Sequence, residues 1–214
     1  GVFIRSMASR GSMGGLAMAT KDVVTVLDAF GKDFVIVETV GVGQTELDIM
    51  NRVDTTMVIL IPGAGDAIQM MKAGLMEIAD IFVVNKADRP GAENMITDLE
   101  SMLSLNKAKS GWQVSVLPTQ AHNNVGIDEL FQQIERHRTY LEESGQLNAR
   151  REQRRRTDFL TAIQERARRQ LQRHIEQDGE LTSIMEQVAH GELDPHSGAL
   201  AVFDTMGLFR EQKT

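Results

Sequence analysis

A chain of 214 residues and 23.8 kDa with 42% hydrophobic residues can bury one ordinary core and carry an appendage. It contains no cysteine, which excludes disulfides, thiolate metal sites and cysteine nucleophiles. The net charge of −7 is uneven, because Arg150 to Arg173 holds nine arginines against Glu152, Asp158 and Glu165, a local balance of +6 that leaves −13 elsewhere.

The chain opens on Gly1-Val2-Phe3-Ile4-Arg5, which lacks the charged, apolar and cleavage regions of a signal peptide. No apolar run is long enough to span a bilayer, so no membrane partner is expected. Five short runs rich in β-branched residues read as buried strands: Val2 to Ile4, Phe34 to Glu38, Thr56 to Ile61, Ile81 to Val84 and Val114 to Leu117. Helix-length stretches lie between them at Leu16 to Phe30, Ile68 to Ala79, Ala92 to Leu105 and Ile127 to Leu141, each with apolar positions on one face. Alternating strands and helices predict an α/β fold with a mostly parallel sheet covered on both faces. The strands stop near Leu141. A long arginine-rich amphipathic helix then follows, with Leu160, Ile163, Ala167, Leu171 and Ile175 at spacings of three and four. Two shorter helices follow at Leu181 to Ala189 and Ser197 to Met206. Residues 1–141 are therefore expected to form one domain and residues 142–214 a helical arm. The arginines read as a solvated helix face, and nucleic acid is not expected as a partner.

Four segments carry chemistry. Phe34-Val35-Ile36-Val37-Glu38-Thr39-Val40-Gly41 is a strand ending in an acid, with glycine three residues on. A carboxylate there can hold water on a phosphate-bridging Mg²⁺, and Gly41 lets a backbone N–H approach the terminal phosphate. In Ile61-Pro62-Gly63-Ala64-Gly65-Asp66, a strand breaks into a glycine loop and re-enters a helix. Asp66, Gln69 and Lys72 then fall on one helical face, where they could act together near a nucleotide or simply face solvent.

The sharpest signal is Ile81-Phe82-Val83-Val84-Asn85-Lys86-Ala87-Asp88, a buried strand running directly into Asn-Lys-x-Asp. Ligands of open α/β sheets bind at such carboxyl ends. The Asp88 carboxylate can accept from the ring N–H and the exocyclic amine of guanine, a donor pair adenine lacks. Asn85 can bond the base or tie loops together, and the stem of Lys86 can cover the ring. One strand later, Pro118-Thr119-Gln120-Ala121 leads into a helix at Gly126-Ile127-Asp128, and the Ala121 N–H could meet a base carbonyl. No Gly-x-x-x-x-Gly-Lys-Ser/Thr string occurs, so the usual phosphate-gripping loop is missing from this sequence.

In order and spacing these segments, with Phe3-Ile4-Arg5-Ser6-Met7 running to Gly14-Gly15-Leu16, resemble the MeaB/ArgK family of GTPases across nearly the whole chain. Such proteins are chaperones of methylmalonyl-CoA mutase and related adenosylcobalamin-dependent mutases, and an older name calls them lysine/arginine/ornithine transport system kinases. The resemblance implies a P-loop NTPase-type sheet, GTP and GDP as ligands and GTP hydrolysis with Mg²⁺. It also implies a homodimer built through the C-terminal helical arm, and partnership with the mutase.

Residue by residue, the resemblance makes Asn85, Lys86, Asp88 and Ala121 the guanine readers. Glu38 and Gly41 become the catalytic switch, with Glu38 reaching Mg²⁺ through water, and Asp66, Gln69 and Lys72 become the segment that answers to the partner. Gln120 departs from the pattern, standing where a small serine is usual. The family's phosphate loop would fall ahead of Gly1, so the chain is expected to be a fragment that binds GTP weakly and has low stability. A cytoplasmic location is expected, with the mitochondrion left open. Two other readings are a non-catalytic dimeric interaction module and a nickel-insertion metallochaperone GTPase. The absence of cysteine and the scatter of the histidines weigh against the second.

Overall fold

The structure is a computed structural model that describes residues 1–7, 20–39, 53–63, 75–105 and 111–207. It divides into two compact units, 1–154 and 155–214.

In the first unit, α1 (Thr20–Ala29) precedes β1 (Met57–Leu60), a short α2 (Leu75–Ile78), β2 (Ile81–Asn85), α3 (Ala92–Leu105) and β3 (Ser115–Thr119). A 3₁₀ turn (Ala121–Asn123) then leads to α4 (Ile127–Glu143), and α5 (Gln146–Gln177) begins in this unit. The strands form a parallel sheet in the order β1-β2-β3, with Met57 opposite Ile81 and Ile81 opposite Ser115. Parallel neighbours need crossover connections, which the intervening helices supply.

Strand β2 is the centre of the unit. Ile81, Phe82, Val83 and Val84 are all buried, as expected for a strand covered on both faces. Phe82 and Val84 point to one face, where they pack with Leu60, Ile78, Ala92, Met95 and Leu99. Helix α3 presents Ala92, Met95 and Leu99 at spacings of three and four, so a single stripe meets the sheet. Pro118 lacks an N–H but is tolerated because β3 is hydrogen-bonded to β2 alone among the described strands.

Two expected strands are corrected. Val2 to Ile4 and Phe34 to Glu38 are extended without strand pairing, and Val2, Ile4 and Ile36 are more than four-fifths exposed. A β-branched run becomes a strand only when a neighbouring backbone completes its ladder, and none of the described strands lies beside these runs. The Phe34 ring instead leans on Phe131 of α4, with centroids 5.6 Å apart.

The second unit contains the rest of α5, then α6 (Gly179–Ala189) and α7 (Pro195–Met206). Asp178 caps α6 by accepting from the Glu180 and Leu181 amides, and Asp194 caps α7 by accepting from those of His196 and Ser197. Gly198 of α7 is buried against Val188 of α6, so close that a side-chain carbon there would collide with it.

Candidate functional site

The carboxyl end of β2 carries the expected loop. Asn85 ends the strand, and Lys86 follows with φ of 57°, a left-handed conformation that costs a residue with a side chain about 1–2 kcal/mol. The reversal lets the Ala87 N–H donate to the Thr119 carbonyl at 3.0 Å and the Arg89 N–H to the Lys86 carbonyl at 3.0 Å. Backbone strain of this kind collects where a loop must hold a ligand. Asp88 is exposed beyond the turn.

Asn85 also joins this loop to its neighbour. Its Oδ1 accepts from the Thr119 hydroxyl at 3.2 Å and from the Ala121 N–H at 3.1 Å. Both acceptor directions of Oδ1 are thus used, which leaves the Asn85 NH₂ as the side chain's remaining polar group, a donor. The Ala121 N–H, which the sequence aims at a base carbonyl, is shared with Asn85 here.

The loop after β3 is closed by the residue that departs from the family pattern. Gln120 exchanges backbone hydrogen bonds with Val125 at 2.9 and 3.2 Å, and its Oε1 accepts from Asn123 Nδ2 at 3.0 Å. Asn124 turns left-handed at φ 56°, and Gly126 at φ 75° starts α4 directly against the Pro118 carbonyl. Asn85, Lys86, Asp88 and Ala121 therefore stand on two loops tied together at the ends of adjacent strands. Thr119, only 2% exposed, is the residue of this group that the sequence did not single out. Its signal was available: a hydroxyl at the end of the strand beside the Asn-Lys-x-Asp strand.

Glu38 lies exposed at the end of the extended run. Gly41, Asp66, Gln69 and Lys72 lie outside the described residues.

The opposite end of β2 holds a second polar cluster. Asp80 accepts from the Thr56 N–H at 2.8 Å through Oδ2, and its carbonyl accepts from the Trp112 indole at 2.9 Å. Fully buried His137 bonds Thr55 Oγ1 through Nδ1 at 2.8 Å. Its Nε2 stands 3.3 Å from Asp80 Oδ1, within ionic reach but off hydrogen-bond alignment. Burial, the largest influence, pushes the Asp80 carboxyl up, but His137, the Thr56 amide and Arg150 together outweigh it and hold it below the usual aspartate range.

The arginine run is also partly corrected. Arg150, Arg151 and Arg154 are partly exposed yet do more than face solvent, because they reach Asp54, Asp80 and the carbonyls of Val53 and Asp54.

An open parallel sheet joined by helical crossovers, with two loops tied together at adjacent strand ends, places the chain among α/β proteins of the P-loop NTPase type. The fold is similar to the crystal structure of an LAO/AO transport system kinase, with TM-score 0.60, 30% identity, and coverage of 87% of this chain and 61% of that one. The chain belongs to the MeaB family of GTPases: the model described as methylmalonyl Co-A mutase-associated GTPase MeaB matches residues 1–176. A Pyrococcus abyssi protein whose name places it among the GTPases is 46% identical over 202 residues, covering 93% of this chain and 62% of that protein. The GTPase ArgK of Escherichia coli is 39% identical over 155 residues, covering 71% of this chain and 47% of ArgK. The mouse methylmalonic aciduria type A homolog, named as mitochondrial, is 30% identical over 203 residues, covering 93% of this chain and 47% of that protein. The chain thus spans roughly half to two thirds of the length of these relatives. No helix among the described residues is long and apolar enough to cross a membrane.

Proposed function

We propose that this chain supplies the base-reading part of a GTP-hydrolysing chaperone for an adenosylcobalamin-dependent acyl-CoA mutase of the methylmalonyl-CoA mutase type. The observation that carries the base reading is the anchoring of Asn85. Its Oδ1 is fixed by Thr119 and Ala121, leaving its NH₂ as the donor of the side chain, and the Asp88 carboxylate is exposed three residues on. A purine presenting a carbonyl, a ring N–H and an exocyclic amine complements that set, and adenine does not. Family membership supports the mutase as partner, since the family's own description names it.

Mg²⁺ needs one or two protein carboxylates, with phosphate oxygens and water completing its octahedron. Glu38, exposed at the end of its run, fits the part of a single carboxylate reaching the ion through water. When bound, the ion would neutralise charge on the bridged phosphates. Gly41 would bring an N–H to the terminal phosphate, and Asp66, Gln69 and Lys72 would answer to the mutase. The C-terminal helices would pair two subunits, a role supported by the exposed Phe159, Leu160 and Ile163 on α5.

Amide NMR of the chain titrated separately with GDP and ADP tests the base reading. Shifts confined to Asn85, Asp88, Ala121 and their neighbours, and produced by GDP alone, are expected. Equal responses to both nucleotides, or no response to either, would overturn it.

A further inference from the structure

We propose that the root of α5 is a releasable ionic latch, in which Arg150, Arg151 and Arg154 grip the residues leading into β1 and β2 through Asp54 and Asp80. Arg151 forks onto Asp54, with Nη2 2.6 Å from Oδ2 and Nε 3.3 Å from Oδ1. Arg154 Nη2 donates to the Val53 carbonyl at 2.8 Å and to Asp54 Oδ1 at 3.2 Å. Arg150 Nη1 donates to the Asp54 carbonyl at 3.1 Å, and its Nη2 stands 3.5 Å from Asp80 Oδ1. Arg150, Arg151 and Arg154, at adjacent turns of the helix, therefore converge on Val53 and Asp54 ahead of β1, with Arg150 also reaching Asp80 ahead of β2. The residues meet across 70 to 101 positions of sequence, so the contact belongs to the fold rather than to the helix.

What makes the seam releasable is the material it is made of. Helix α5 has no fully buried residue along its described side chains, and Leu147 in its first turn is only half-buried, so apolar packing alone holds its first turns weakly. The arginines are between 23% and 48% exposed and Asp54 is 33% exposed, which leaves the Asp54 pairs open to water and screening ions, while Asp80 is 13% exposed. Partly exposed pairs are weak one at a time, but a bidentate fork with shared partners opens as a unit. Ile81 to Val84 of β2, by contrast, are buried, so the strand should stay in place whether the latch is open or closed. The carboxylates are prepared for the closed form: Asp54, despite its burial, is held below the usual aspartate range by Arg151 and Arg154. Asp28 on α1 and Glu142 on α4 add their charge to Arg151, so acids on two further elements favour the docked helix.

The chain has no cysteine, so spin labels on Asn148→Cys and Ser101→Cys, both exposed positions in the first unit, report the root of α5 against α3 without background. A single narrow distance distribution is expected in the parent at low ionic strength. A second or broadened population is expected at about 1 M salt, where the screening length falls to about 3 Å. Asp54→Asn and Arg151→Gln should each give the same broadening at low salt. Amide protection of Ile81 to Val84 is measured alongside and should not change. One unaltered distribution under all these conditions would overturn the latch. Broadening accompanied by loss of Ile81 to Val84 protection would also overturn it, since the residues would then be supporting the sheet as a whole.

Discussion

The Thr119 hydroxyl donates to Asn85 Oδ1 across 3.2 Å, joining the last residue of β3 to the last residue of β2. The bond fixes which way the Asn85 amide faces, and that direction decides whether the loop offers a donor or an acceptor to a base. Thr119→Val keeps the shape and removes the donor. It should cost about 1 kcal/mol of stability in urea unfolding and abolish the GDP-induced shift at Asn85, whereas Thr119→Ser should retain both. An unchanged GDP response in Thr119→Val would remove the hydroxyl from the site.

Asp88→Asn changes the pattern read at the base. The carboxylate accepts twice, whereas an amide accepts once and donates once, so guanine loses a partner and xanthine, which presents a carbonyl in place of the amine, gains one. Titrations with GDP and XDP should show the preference reversing, with a change of roughly tenfold or more in the ratio. A variant that still prefers GDP would place the base elsewhere.

Gly126→Ala tests the junction between β3 and α4. The position has φ of 75°, and an added carbon would run into the Pro118 carbonyl oxygen. Gly145 has nearly the same angle, φ 72°, but open space around it. Gly145→Ala should therefore cost about 1 kcal/mol, the left-handed penalty alone, and Gly126→Ala about 2–3 kcal/mol. Urea midpoints compared at constant slope separate the two costs.

Asp80 gives the acid behaviour a definite sign. Its carboxyl lies below the ordinary aspartate value of 3.8 in the folded chain, so the folded state favours the charged form. The stability it contributes is present above that value and lost as pH falls through the lowered folded value. The gap in unfolding free energy between the parent and Asp80→Asn should be constant above about pH 5 and close progressively below about pH 4. A gap that widened on acidification would mean that Asp80 is protonated when folded.

Phe82→Ala should be the most damaging single truncation in the sheet. The side chain is fully buried on the central strand and packed among Leu60, Val84, Met95 and Leu99. A loss of about 3–5 kcal/mol is expected by calorimetry, a large share of the roughly 5–15 kcal/mol that holds a typical domain together.

Local pattern carried some of this structure, and long-range pairing carried the rest. Helix α3 runs over Ala92–Leu105, as its apolar stripe indicates, and β2 is the apolar run that ends at Asn85. The runs at Val2 and Phe34 have strand composition equally well, but composition says nothing about whether a neighbour is present to pair with. Arg150, Arg151 and Arg154 looked like any exposed helical charges because their partners Asp54 and Asp80 lie far away in sequence. Thr119 and His137 were missed for the same reason, since each acquires its partner only when strands and helices meet. The Asn-Lys-x-Asp loop was legible because strand, turn and side chains are contiguous.

Trp112 is the chain's one tryptophan, and its surroundings make it an optical probe of a single place. Its ring lies 4.7 Å from that of His137 and 5.3 Å from that of Tyr140, while its N–H is tied to the Asp80 carbonyl. Intrinsic emission from this protein therefore registers the end of β2 remote from Asn85 and Lys86. A colour change would report rearrangement at that end of the sheet, and a ligand touching only the loops of Asn85 and Ala121 would leave the emission unchanged.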